Sequence, residues 1–130
     1  MREIKFRAWD PVDNRMLSVE NINFREKYIS LNEGDNSVTD TFEMFDLMQY
    51  TGLKDINGIE IYEGDIVEEI GWEDDYHKVV FHECAFQQYN LTKNLMMYDS
   101  RYKVLMEYPC YRIVGNVYEN PELLEGRNEQ

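Results

Sequence analysis

Residues 49–67, QYTGLKDINGIEIYEGDIV, set turn residues at short offsets between runs of β-branched and aromatic residues. Thr51-Gly52 and Asp55-Ile56-Asn57-Gly58 read as turns. Asn57-Gly58 is the kind of dipeptide that accepts a positive φ at both positions. Ile59 and Ile61 then share one strand face, and Ile66 and Ile70 the other. The switch falls at Glu63-Gly64-Asp65. Gly64 supplies a backbone conformation closed to residues with a Cβ, and Asp65 closes the turn with its side chain on the backbone. Strand, tight kink, strand is how a small barrel turns a corner. Gly52, Gly58, Gly64 and Gly115 therefore read as turn or close-approach glycines rather than ligand contacts.

The flanking segments extend this β pattern. In 2–9, Ile4, Phe6 and Ala8 take one face, and Glu3, Lys5, Arg7 and Trp9 the other. Asp10-Pro11 breaks the strand and Asp13-Asn14 supplies turn chemistry. In 16–24, Leu17 and Val19 share one phase and Ile22 and Phe24 the opposite one, which a bulge near Glu20-Asn21 reconciles. A loop of about six residues joins these strands as a hairpin. Tyr28, Ile29 and Leu31 add a short strand, and 32–36 reads as a loop. Residues 42–50 fit either a helical stripe, with Asp40 and Glu43 as a capping box, or a strand; the reading adopted is a helical turn feeding a strand at 47–51.

The second half carries an acidic hairpin loop at 71–76, GWEDDY, and a strand at 77–82 built on Val79-Val80-Phe81. Residues 85–89 pair back on it. Leu91, Leu95, Tyr98, Tyr102 and Leu105 are spaced 4, 3, 4, 3, which predicts a helix over 91–106, with Asp99-Ser100 arguing for a break. Residues 112–118 form a strand, Asn120-Pro121 stops it, 122–124 pack back as one turn, and 125–130 fray. The expectation is one mainly β domain over 1–130, partly open and barrel-like, with one or two short helices.

Composition limits what such a scaffold can do. Asp plus Glu number 26 against 13 Lys plus Arg, a net charge of −13 that repels phosphate backbones and anionic membranes. Solubility is the first explanation of that charge, and docking on a basic partner the second. The acidic residues are scattered, apart from Glu68-Glu69 and Glu73-Asp74-Asp75, which argues against nucleic-acid mimicry. No apolar run approaches the roughly 18 residues of a membrane helix, and MREIKFRAWD lacks a signal-peptide core. A soluble cytoplasmic protein is expected. Cys84 and Cys110 read as buried, reduced thiols. His77 and His82, five apart, point to opposite faces of a strand, so no metal site is assigned. Asp10, Asp55 and Asp65 read as turn residues rather than catalytic carboxylates. No catalytic residue and no cofactor is assigned.

Three blocks carry a family likeness. KFRAWD at 5–10, MQYTGLKDINGIEIYEGDIV at 48–67 and IVGNVYENPELL at 113–124 resemble, in that order, the YopX family of phage and prophage proteins. The resemblance implies a phage or prophage gene product in a Gram-positive or similar bacterial host, with a mostly β fold. It implies a family that is largely uncharacterised, for which a nucleic-acid role has been suggested, and it brings no catalytic residues.

Three functions are weighed, of which an enzyme using carboxylates comes last because no motif with a mechanism is present. The first is a non-enzymatic module that recognises a protein partner through an acidic β scaffold, a second copy of itself included. The second is a nucleic-acid-binding module, single strands before duplexes, with exposed aromatics stacking bases beside Arg2, Lys5 and Arg7. Trp9, Tyr62, Arg7 and Lys5 are the candidate binding surface, although Trp9, Tyr50, Tyr62 and Tyr118 read first as core aromatics.

Overall fold

Alternating apolar and polar residues build two antiparallel sheets in this computed structural model, which describes residues 3–33, 36–91, 101–107 and 109–125. The chain divides into two compact units, Met1–Tyr50 and Thr51–Gln130. The first unit holds β1 (Phe6–Asp10), β2 (Arg15–Asn23), β3 (Tyr28–Glu33), β4 (Asn36–Thr41) and the first half of β5 (Asp46–Lys54). The strands lie in the order β4-β3-β2-β1-β5.

The expected bulge is present in β2. Its register on β3 shifts between Val19 and Asn21, so Val19 faces Leu31 and Ile22 faces Ile29. One extra residue thus turns Leu17, Val19 and Ile22 to the same side. They pack on Ala8, Ile29 and Leu31, together with Phe42, Phe45 and Leu47. Phe24 lies past the end of the strand and is exposed, edge-on to Phe42. The β1–β2 loop is tighter than expected, spanning 11–14, with Asn14 left-handed. Asp10 Oδ1 accepts from the amides of Val12 and Asp13 and draws that turn closed.

Strand β4 was not expected, because 36–41 is polar. It pairs with β3 along its whole length, from Tyr28 opposite Thr41 to Glu33 opposite Asn36. An edge strand needs a ladder on one side only, and polar residues suit it. The loop expected at 32–36 is reduced accordingly, and its centre lies outside the described residues. A 3-10 turn at Phe42–Met44 then feeds β5, as expected for 42–50. The capping box is absent: Thr41 caps the turn without a side-chain bond, and Asp40 Oδ1 accepts from the Thr41 amide.

The second unit contains β6 (Glu60–Tyr62), beside β5, then β7 (Asp65–Glu69), β8 (Tyr76–His82), β9 (Ala85–Asn90), β10 (Tyr102–Val104) and β11 (Tyr111–Asn116). The last five form a sheet in the order β10-β9-β8-β7-β11. Its core is Ile61, Val67, Val79, Leu105 and Tyr111. Gly64 has φ +88 at the β6–β7 kink, and Asp65 Oδ2 accepts from the Tyr62 amide at 2.8 Å. Gly58 is left-handed at +82 in the preceding turn. Gly115 is needed for space: a Cβ there would stand 2.5 Å from Asn120 Oδ1, the atom that accepts from the Asn116 amide. A 3-10 turn at Pro121–Glu125 follows.

Several expectations are corrected. The helix expected over 91–106 is not found at Tyr102–Val104, which is a strand paired with β9 in the register Tyr102–Tyr89; 92–100 lie outside the described residues. Ile59 precedes β6 and is exposed, so it does not join Ile61 in the core. Of Val79-Val80-Phe81 only Val79 is fully buried, since alternation sends Val80 to the other face and Phe81 sits at the hairpin end. Cys84 is exposed, in the left-handed β8–β9 turn. The architecture is mainly β, as expected, but both sheets end in edge strands and no closed barrel forms among the described residues. No helix there is long and apolar enough to cross a membrane.

Candidate functional site

The binding surface predicted from sequence draws on both units, with Lys5, Arg7 and Trp9 in the first and Tyr62 in the second. Trp9 is only 8% exposed, so nothing can stack on its ring. Arg7 Nε donates to Met48 Sδ at 3.4 Å, across the β1–β5 pair. Lys5 Nζ lies 5.7 Å from the centre of the Tyr50 ring and 3.4 Å from Glu3 Oε2. Tyr62 belongs to the second unit, half-buried, with its hydroxyl donating to Glu60 Oε1. Arg2 lies outside the described residues.

Two other surfaces, both in the second unit, carry more. The first is the β7–β8 hairpin tip. Gly71, at φ +96, and Asp74, at φ +69, turn the chain. Glu73 Oε2 accepts from the Gly71 amide, a bond that lowers the Glu73 pKa below its ordinary value. Glu68 Oε1 accepts from the Asp74 amide, while Glu68 Oε2 accepts from Arg112 at 2.7 and 2.9 Å. The loop is therefore tied at two points of its acidic run, Glu73 and Asp74. It presents Trp72, 67% exposed, beside Glu73, Asp74 and Asp75, with exposed Ile70 on its flank.

The second surface is a row across β8, β9 and β10. Lys78 stands opposite Tyr89, and Tyr89 opposite Tyr102, so all three share one face of the sheet. Lys78 Nζ lies 5.4 Å and the Arg101 guanidinium 5.9 Å from the Tyr89 ring centre. Tyr102 meets Tyr89 edge-on at 5.0 Å and stacks on His82 at 3.7 Å. This row of cations and rings stands out in a chain of net charge −13.

The opposite face of that sheet holds a buried polar chain. Tyr111 Oη donates to Gln88 Oε1 at 2.6 Å and accepts from the Met106 amide. Gln88 Nε2 donates to Glu69 Oε2, which also lies 3.5 Å from Lys103 Nζ. Burial lowers the His77 pKa, against the pull of Asp75 and Glu69. Burial raises the Cys110 thiol, and Glu69 raises it further. Tyr111, Gln88 and Glu69 satisfy one another, an arrangement that orders a sheet, whereas His77 Nδ1 is buried with no hydrogen-bond partner among the described residues. Among the described residues no group of His, Cys, Asp and Glu is placed to hold a metal ion.

Sequence reasoning placed Trp72 in the acidic loop but not at an exposed, tied tip. It missed the Lys78–Tyr89–Tyr102 row because Tyr102 was assigned to a helix. Period-two reading of 76–82 and 85–90 would have found the first two members.

The family described as YopX protein matches residues 5–125. The chain belongs to the YopX family. Among solved structures it is similar to protein EF1440 from Enterococcus faecalis, at 27% identity and a TM-score of 0.62, over 96% of this chain and 100% of that one. It is also similar to protein yopX from Bacillus subtilis, at 25% identity and a TM-score of 0.58, with the same coverage. No curated protein matches. The blocks that resemble the YopX family, 5–10, 48–67 and 113–124, contain the turn chemistry of Asp10, Asp55, Gly64, Asp65 and Asn120. Trp72 and the Lys78–Tyr89–Tyr102 row lie outside them.

Proposed function

We propose that this YopX-family protein is a phage- or prophage-encoded, non-enzymatic binding module that docks a basic protein partner through the β7–β8 tip. The observation that supports this is Trp72, 67% exposed on a hydrogen-bonded turn beside three carboxylates. Tryptophan is enriched among residues that dominate binding energy, and a tied loop loses little entropy on docking. Carboxylates around it and the net charge of −13 speed encounter with a cationic surface. The test is nuclease-treated affinity capture from prophage-induced cells, comparing wild type with Trp72→Ala and with Glu73→Gln/Asp74→Asn. A basic protein held by wild type, released by salt and lost from Trp72→Ala supports the reading. Equal retention by Trp72→Ala overturns it.

A second reading has its own observation. Tyr89, flanked by Lys78 and Arg101 and followed by Tyr102 and His82, has the composition of a platform for single-stranded nucleic acid. Fluorescence anisotropy at about physiological ionic strength separates the two. Tight single-strand binding that is lost in Lys78→Ala and Tyr89→Ala would displace the protein-partner reading.

A further inference from the structure

We infer that a cleft in the first unit is a receptor for a lysine side chain of a protein partner. The cleft has a volume of about 240 Å³ and lies where the β1–β2 turn approaches the 3-10 turn before β5. Leu31, fully buried, and Leu17 form its floor, and Phe45 lines its side. Val12, 72% exposed, and Met44, 44% exposed, form an apolar rim. Three carboxylates, Asp10, Asp13 and Asp40, face one guanidinium, Arg15, so the lining carries two negative charges in excess (3 − 1 = 2).

The charges are unevenly matched. Arg15 Nε lies 3.5 Å from Asp10 Oδ2 and its Nη2 lies 3.6 Å from Asp13 Oδ2. Asp10 Oδ1 already holds the amides of Val12 and Asp13. Asp40 holds the Thr41 amide through Oδ1 and has no ion-pair partner among the described residues. The uncompensated charge of the cleft therefore sits at Asp40, above an apolar floor.

Size and geometry choose the occupant. The volume falls below the roughly 300–1,000 Å³ of cofactor and drug-sized sites, so one side chain fits and a nucleotide does not. A lysine stem would lie along Leu17, Leu31 and Phe45 with its ammonium at Asp40. Arginine is the poorer match. Its planar fork is met best by two coplanar acceptors, and the Thr41 amide on Asp40 Oδ1 narrows that approach, whereas a single ammonium needs Oδ2 alone. The exposed rim of Val12 and Met44 calls for peptide atoms on either side of the lysine, which a free diamine lacks. A lysine receptor presupposes the basic protein partner proposed above. A short peptide probes the cleft without engaging Trp72, so either idea can fail alone.

The experiment is an NMR titration of the full chain, methyl-labelled at Leu and Met, with acetyl-Gly-Lys-Gly-amide. Parallel arms use the norleucine peptide, which keeps the stem without the charge, and cadaverine. Saturable shifts at Leu17, Leu31 and Met44 are expected, weaker for both comparison ligands and at high salt. Asp40→Asn keeps an oxygen for the Thr41 amide and should weaken the lysine peptide about two- to fivefold, the size of one partly exposed ion pair. Asp13→Asn, on the exposed turn, should weaken it in the same direction. Unshifted methyls at millimolar peptide, equal binding of the norleucine peptide or unchanged affinity in both variants would overturn the site. Cadaverine binding as tightly as the peptide would overturn the protein partner as its occupant.

Discussion

Replacing Asp55 tests whether turn chemistry or apolar burial holds the second unit together. Asp55 is buried, and its carboxylate serves two turns of the chain at once. Oδ1 accepts from Asn57 N at 2.8 Å and from Ile59 N at 2.9 Å. Oδ2 accepts from Ile113 N at 3.2 Å, 58 residues away on β11. The backbone of the same residue donates to Ile59 O and accepts from Gly58 N, and those bonds survive any substitution that keeps the turn. Asp55→Ala therefore removes two acceptor oxygens, with the three hydrogen bonds they accept, and nothing else of size. The amide of the exposed Asn57 can turn to water, whereas that of Ile113 lies in the sheet. An amide left without its acceptor costs about 1–3 kcal/mol when buried and less at the surface, so the sum is about 2–4 kcal/mol. For a chain of this length that lowers Tm by on the order of 10 °C. Asp55→Asn separates the two halves. It keeps an oxygen for Asn57 and Ile59 but sets an NH2 against Ile113 N, and should lose about 1–2 kcal/mol. Urea unfolding followed by circular dichroism at constant m reads both. A loss under about 0.5 kcal/mol for Asp55→Ala would refute the argument, because surface substitutions do no less. Equal losses for Ala and Asn would show that the turn bonds through Oδ1 contribute nothing.

Three further outcomes are expected. Gly64→Val should destabilise by about 1–3 kcal/mol, since valine cannot relax at φ +88; an unchanged melting temperature contradicts this. Burial lowers the folded pKa of His77, so the unfolded chain binds the proton more readily, and stability should fall as pH drops below about 6.5, the ordinary histidine value. Asp75, Glu69 and Lys103 surround that ring, and His77→Leu should flatten the dependence of the urea midpoint on pH between about 5.5 and 7.5; an equal slope in wild type and variant refutes the assignment. A maleimide at neutral pH should label exposed Cys84 well before Cys110, whose thiol is half-buried and raised in pKa by burial; equal rates, read by mass spectrometry, contradict it.

The parts legible in sequence are those set by neighbouring residues. The Glu63-Gly64-Asp65 kink, the Asn57-Gly58 turn, the β2 bulge and the β8–β9 hairpin each follow from a few consecutive side chains with a fixed backbone preference. The parts that escaped depend on pairing at a distance. Strand β4 is polar and exists because β3 offers a ladder. Tyr102 sits at helical spacing from Leu105 but joins a strand because Tyr89 and His82 take its ring. The candidate surfaces divide the same way. Trp72 is visible as a loop residue, but its fixed display depends on Glu68, and through Glu68 on Arg112. The Lys78–Tyr89–Tyr102 row requires two strand registers, which no local pattern supplies. Trp9 reads first as a core aromatic although it alternates with Ala8, and it is buried with Ala8, because both faces of β1 are covered at that end.

Gln88 gives the second sheet a means of proofreading. A strand that slips by two residues keeps its apolar face inward, and Val67 and Val79 would accept such an error with little complaint. Gln88 would not. Moved from opposite Val79 to opposite His77 or Phe81, its amide would lose both the Tyr111 hydroxyl and the Glu69 carboxylate while still facing inward. Each orphaned group would penalise the wrong pairing by about 1–3 kcal/mol, a difference that grease alone cannot supply. A chain in which Gln88 and Tyr111 both became apolar could keep its core and its melting temperature while losing the contact that tells one register from the next.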